Sequence, residues 1–124
     1  MKKESEIYAP FIDRAEVRPS GEIFFRGEDA QQLVAASQSA GMAVLGIEAV
    51  RIDANQVMPY IDAIADYSPK SAMQWEAYQE RCNRLALDFL REAVEQKGED
   101  TYFCFEVMDR AEHAEFLKRI TSAS

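Results

Sequence analysis

The stretch GIEAVRIDANQVMPYIDAIADYSP, residues 46–69, decides how the chain folds. With the residues before it, its first half runs Ala43-Val44-Leu45-Gly46-Ile47-Glu48-Ala49-Val50-Arg51-Ile52. So continuous a row of apolar and β-branched residues predicts a strand. In its middle Ile47, Ala49 and Arg51 point to one side, and Glu48, Val50 and Ile52 to the other. Asp53-Ala54-Asn55-Gln56 then reads as a turn. Residues 57–67 admit two conformations. As a helix, Val57, Ile61, Ile64 and Ala65 form a stripe, with Asp62 and Asp66 one turn apart on the other face. As a strand, Ile61, Ala63, Ala65 and Tyr67 alternate with Tyr60, Asp62, Ile64 and Asp66. Pro59 fits a helix start or a strand edge. The strand is favoured, because residues 50–52 and 61–65 then pair across a turn centred on residues 54–58. In either conformation Asp62 and Asp66 share a face.

Outward from this hairpin the signals are clearer. Glu22-Ile23-Phe24-Phe25-Arg26, between Gly21 and Gly27, predicts a short strand. Asp29 and Gln32 have capping-box spacing ahead of a helix with Leu33, Val34, Ser37 and Ala40 on one face. Gly41 follows as its C-terminal cap. Beyond Ser68-Pro69, Ser71 and Gln74 predict a second capping box. Trp75, Tyr78, Cys82, Leu85, Phe89 and Ala93 then recur every three or four residues. They predict a long amphipathic helix over residues 71–96, ending near Lys97-Gly98. Residues 101–107, Thr-Tyr-Phe-Cys-Phe-Glu-Val, are apolar on both sides and predict a central strand. Asp109 and Glu112 form a third capping box, ahead of a helix whose inner face holds Phe116, Leu117 and Ile120. Residues 1–20, with Pro10 and Pro19, read as an extended or loosely helical arm. The expected class is α+β: about four strands in a small mixed or antiparallel sheet covered by two to three helices, with α/β the near alternative.

A chain of 124 residues supports one domain and one core. The net charge of −8 repels nucleic-acid phosphates and suits a cationic partner. No apolar run reaches the length of a membrane span, and the start MKKESEIYAP has no signal-peptide core, so a cytoplasmic protein is expected. Cys82 and Cys104 show no CxxC spacing and read as small buried hydrophobes.

Enzyme signatures are sparse. His113, the single histidine, lies in Glu112-His113-Ala114-Glu115, which is not the HExxH spacing, and reads as a helix-surface or edge residue. GxSxG, P-loop and GxGxxG patterns are lacking from the sequence. Asp62 and Asp66 fit an acid–base pair or two oxygen ligands for a divalent ion, but fit a solvated acidic face better. No catalytic residue, cofactor or metal site is therefore assigned. Tyr60 and Tyr67 flank these carboxylates in a combination that protein-binding patches favour.

The acids are clustered. Residues 43–67 hold four acids against Arg51, and residues 95–115 hold seven against Lys97 and Arg110. If the strand of residues 101–107 lies beside that of residues 44–52, the two acidic segments join into one surface.

Four segments together resemble a known class. They are Gly46-Ile47-Glu48-Ala49-Val50, Ile61-Asp62-Ala63-Ile64-Ala65-Asp66-Tyr67-Ser68, the helix with Trp75 and Phe89-Leu90, and Tyr102-Phe103-Cys104-Phe105-Glu106-Val107. Over residues 43–108 the chain resembles the small bacterial immunity proteins of polymorphic toxin systems. The resemblance implies a single-domain cytoplasmic inhibitor that binds one cognate toxin, without enzymatic activity of its own. A nuclease toxin has a cationic cleft, which an acidic inhibitor can occupy. On this expectation Glu48, Asp53, Asp62 and Asp66 contact lysine or arginine, and Tyr60 and Tyr67 supply desolvated anchors. The alternatives are a non-enzymatic adaptor or regulatory subunit and, behind it, a small metal-dependent enzyme using Asp62 and Asp66.

Overall fold

A computed structural model describes residues 3–122. Over the described residues the fold is α+β, with five antiparallel strands and four helices. The strands are β1 (Glu16–Val17), β2 (Ile23–Arg26), β3 (Met42–Asp53), β4 (Gln56–Asp66) and β5 (Tyr102–Asp109). The helices are α1 (Lys3–Tyr8), α2 (Gly27–Ser39), α3 (Trp75–Lys97) and α4 (Arg110–Ser122), and a 3-10 turn spans Ala9–Arg14. The sheet order is β1-β2-β5-β3-β4, so residues 57–67 form a strand up to Asp66 and lie at an edge. The fifth strand is the two-residue β1, inside the segment read as an arm.

That segment is docked. Ile7, Tyr8 and Phe11 are buried in the main core, and the Tyr8 ring lies 5.0 Å from that of Phe25. Arg14 fastens the 3-10 turn to α2 through a two-pronged pair with Asp29, at 2.9 and 3.0 Å. The expected capping box at Asp29 therefore does not form. The helix starts two residues earlier, at Gly27, and the largely buried carboxylate takes a guanidinium as partner. The box expected at Ser71 is also absent: α3 starts at Trp75, with Gln74 at its N-cap and no side-chain cap bond. The third box forms as expected. Glu112 accepts the Asp109 N–H at 2.9 Å, and Asp109 accepts the Glu112 N–H at 2.8 Å.

Helices α2 and α3 cover one face of the sheet. Leu33 and Val34 from α2 and Ala86, Leu90 and Ala93 from α3 meet Phe25, Phe103, Phe105, Ile47 and Ala49. The strand pairings Phe25–Phe103, Ala49–Phe103 and Ile47–Phe105 put those five residues on one side. The buried row of α3 runs through Ala86 and Leu90, one position beyond the predicted Leu85 and Phe89, which are half-buried. Gly41, at φ +76°, takes the left-handed conformation that closes α2.

A second cluster joins Ala43 and Met108 to Trp75, Tyr78 and Cys82, with Phe116 of α4 against it. His113 belongs here, not on the helix surface. It is 3% exposed, stacked on Tyr78 with centroids 4.8 Å apart, and 5.4 Å from Trp75. The three- and four-residue spacing puts His113 in line with Phe116 and Leu117, so it turns inward with the apolar stripe. Its Nε2 is buried without a hydrogen-bond partner among the described residues. Burial holds its pKa below the ordinary histidine value.

Candidate functional site: the acidic face and the edge bulge

The face away from α2 and α3 is built by pairing. Gly46 lies between Asp66 on β4 and Glu106 on β5. One step along, Glu48 lies between Ile64 and Cys104. Paired residues point the same way, so three carboxylates and an isoleucine share one side of the sheet. Asp66, Glu106 and Ile64 are exposed, and Glu48 is half-buried. Gly46 leaves little room for a side chain: a Cβ there would stand 3.2 Å from the Ala65 carbonyl oxygen and 3.7 Å from Glu106 Oε1. The two acidic segments of the sequence therefore meet, because β3 and β5 are neighbours.

Cys104 registers this field. Its thiol is pushed up to about 11, by burial first and then by Glu22, Glu48 and Glu106. At neutral pH it stays protonated and is a poor nucleophile. Burial likewise raises the Cys82 thiol.

The β3–β4 pairing breaks once. Glu48 faces Ile64 and Val50 faces Pro59, so residues 60–63 stand opposite the single Ala49. A bulge of this size turns side chains away from strand alternation. Ala63 goes inward, at 6% exposed, and Ile61 stands out at 89% exposed. Lys97, at the end of α3, clamps the bulge from behind. Its Nζ donates to Asp62 at 2.9 Å and lies 5.0 Å from the Tyr60 ring centroid. That hydrogen bond, first among its causes, holds the Asp62 carboxyl below its ordinary value.

The six residues singled out from sequence separate into four places. Glu48 and Asp66 lie on the acidic face. Tyr60 and Asp62 lie on the bulge, where Tyr60 is half-buried against the core. Asp53 is at the hairpin end, 3.8 Å from Arg51 and about 17 Å along the strand from Glu48. Tyr67 faces the interior. Its N–H donates to Leu45 at 2.7 Å, its hydroxyl to Leu85 at 3.3 Å, and its carbonyl accepts the Tyr78 hydroxyl at 2.6 Å. Burial, with smaller contributions from Cys82 and Asp88, pushes its hydroxyl up to about 12. Asp62 and Asp66 have separate partners. Ser68 supplies those of Asp66 through its hydroxyl and, at 2.9 Å, its N–H, which lower the Asp66 pKa.

Glu106, Ile61, Ile64 and Lys97 also line the candidate site and were not assigned to it from sequence. Glu106 was legible as part of the second acidic segment. In the favoured strand reading Ile64 already shares the side of Asp66, whereas Ile61 falls on the opposite side with Ala63, since nothing local announces a bulge that depends on pairing with β3. A separate groove runs beside the start of α2, but its arginines are engaged: Arg14 by Asp29 and Arg26 by the Tyr102 hydroxyl at 3.3 Å. Among the described residues no helix is long and apolar enough to cross a membrane.

No protein-family model matches the chain. Nor does any curated protein match it.

Proposed function

We propose that this chain is a cytoplasmic immunity-type inhibitor that binds a cationic toxin domain, of nuclease type, through its acidic face. The observation that carries this reading is the convergence of Glu48, Asp66 and Glu106 beside the exposed Ile64. An apolar patch bordered by carboxylates is suited to a protein partner rich in lysine and arginine. The same surface repels nucleic acid, and so competes with it for a cationic cleft without resembling a nucleic-acid binder. The immunity assignment within this class comes from the sequence resemblance over residues 43–108.

Catalysis has less support. The Cys104 thiol is held protonated, and Asp62 and Asp66 are committed to Lys97 and Ser68 respectively.

Affinity purification from the source bacterium tests the proposal. Wild-type chain is compared with the triple variant Glu48→Gln, Asp66→Asn, Glu106→Gln. The expected result is one stoichiometric partner with a basic domain whose toxic activity is lost in the complex, and which the variant retains poorly. Equal retention of partners by both chains would remove the acidic face from the function.

A further inference from the structure

We infer that the bulge of residues 60–63 is the element that selects the partner, with Ile61 entering an apolar pocket on a cationic protein surface. The inference rests on the proposed protein-binding function, and it specifies how that binding is made selective. Three observations converge on the bulge. Ile61 is 89% exposed, the most exposed of the large hydrophobic residues described. Its position is fixed on both sides, by Tyr60 under Lys97 and by the buried Ala63. A backbone anchored on both sides loses little conformational freedom on binding, which favours affinity. The surrounding charge is net acidic: Lys97 pairs with Asp62 beside it, and Glu48 and Asp66, on the same β3–β4 pair, leave an excess of acid.

The mode of contact also follows. β4 is a sheet edge, where an added strand would ordinarily pair. The bulge divides that edge, and Pro59 removes one of its N–H donors. Strand addition and edge-to-edge pairing with a second copy are both disfavoured. A partner therefore meets β4 through side chains, and its basic groups find carboxylates around the apolar contact. The occupant is a cationic protein with a pocket that accepts a branched aliphatic side chain.

The test is site-specific photo-crosslinking in the source bacterium. The full chain carries p-benzoylphenylalanine at position 61, at position 64, or at position 17, where Val17 is also exposed. The expected product is one partner joined from positions 61 and 64 and not from 17, through a partner segment containing lysine or arginine. Titration of that purified partner then shows Ile61→Ala binding about tenfold weaker, Ile61→Asp weaker still, and unchanged melting temperatures. A partner joined from 64 but not from 61, or unchanged affinity for Ile61→Ala, overturns the inference and leaves the acidic-face function standing. A second copy joined at 61 also overturns it. No crosslink from 61 or 64 overturns both.

Discussion

The side-chain amide of Asn83 replaces a neighbouring strand beside Val44. Its Oδ1 accepts the Val44 N–H at 2.9 Å, and its Nδ2 donates to the Met42 carbonyl at 3.0 Å and to Gln38 Oε1 at 2.6 Å. β4 pairs with β3 only from Gly46 onward, so the first residues of β3 have no strand on that side. An amide carries the same donor and acceptor as a peptide group and closes the exposed ladder. Asn83→Leu leaves the buried Val44 N–H unsatisfied. Met42 retains its bond from Gln79. The expected loss is about 2–3 kcal/mol in urea denaturation. Asn83→Asp keeps the acceptor, loses both donors, and is expected to be destabilising too.

His113 gives the fold an acid sensitivity. Its folded pKa is lowered by burial, so between that value and about 6.5 the unfolded chain binds the extra proton. Stability contributed by the neutral ring is present above pH 6.5 and is lost as pH falls through the folded value. His113→Phe keeps an aromatic ring against Tyr78 and removes the orphaned Nε2. Melting curves between pH 5 and 7 should slope for the wild type and be nearly flat for the variant. Equal slopes would mean that His113 is not the titrating group.

Ala54 sits at the β3–β4 turn with φ +55°, a conformation that costs a residue with a Cβ. Ala54→Gly should stabilise the fold by about 1 kcal/mol, less the glycine's extra entropy in the unfolded chain. A higher urea midpoint at unchanged slope is the expected sign. The turn also holds Arg18, whose guanidinium donates to the Asn55 carbonyl at 2.6 Å. In the strand order β1 is three places from β3, about 14 Å in a flat sheet. The contact therefore requires a curled sheet, and the glycine variant should keep it.

Arg14 and Asp29 link the N-terminal segment to α2. Arg14→Ala strands a largely buried carboxylate and should loosen residues 3–14 before the sheet. Amide exchange should quicken there while β3 and β5 remain protected. Uniform acceleration along the chain would instead place the segment within the global folding unit.

Most of the fold was legible because its signals are local. Helical spacing marks α3, glycine closes α2, and Asp109 with Glu112 caps α4. Failures occurred where a tertiary demand overrode a local motif. Asp29 has the spacing of a cap, but a buried carboxylate needs Arg14. His113 looks polar in sequence, yet helix geometry turns it to Tyr78. Ile7, Tyr8 and Phe11 lie too close to Pro10 to display a period, and only the packed structure shows them to be core. In the candidate site, the acidic character of the face that carries Glu48 and Asp66 was legible from charge. Ile61 was not, because its outward direction is set by the slip between β3 and β4.

A growth-rescue assay reads out toxin inhibition by the acidic face in living cells. The basic domain recovered with the wild-type chain is expressed in a heterologous bacterium, alone or with this protein. The expected outcome is growth arrest by the domain alone, recovery with the wild-type chain, and little recovery with the Glu48→Gln, Asp66→Asn, Glu106→Gln variant. Arrest that the wild-type chain fails to relieve, or equal rescue by the triple variant, would contradict the proposed function.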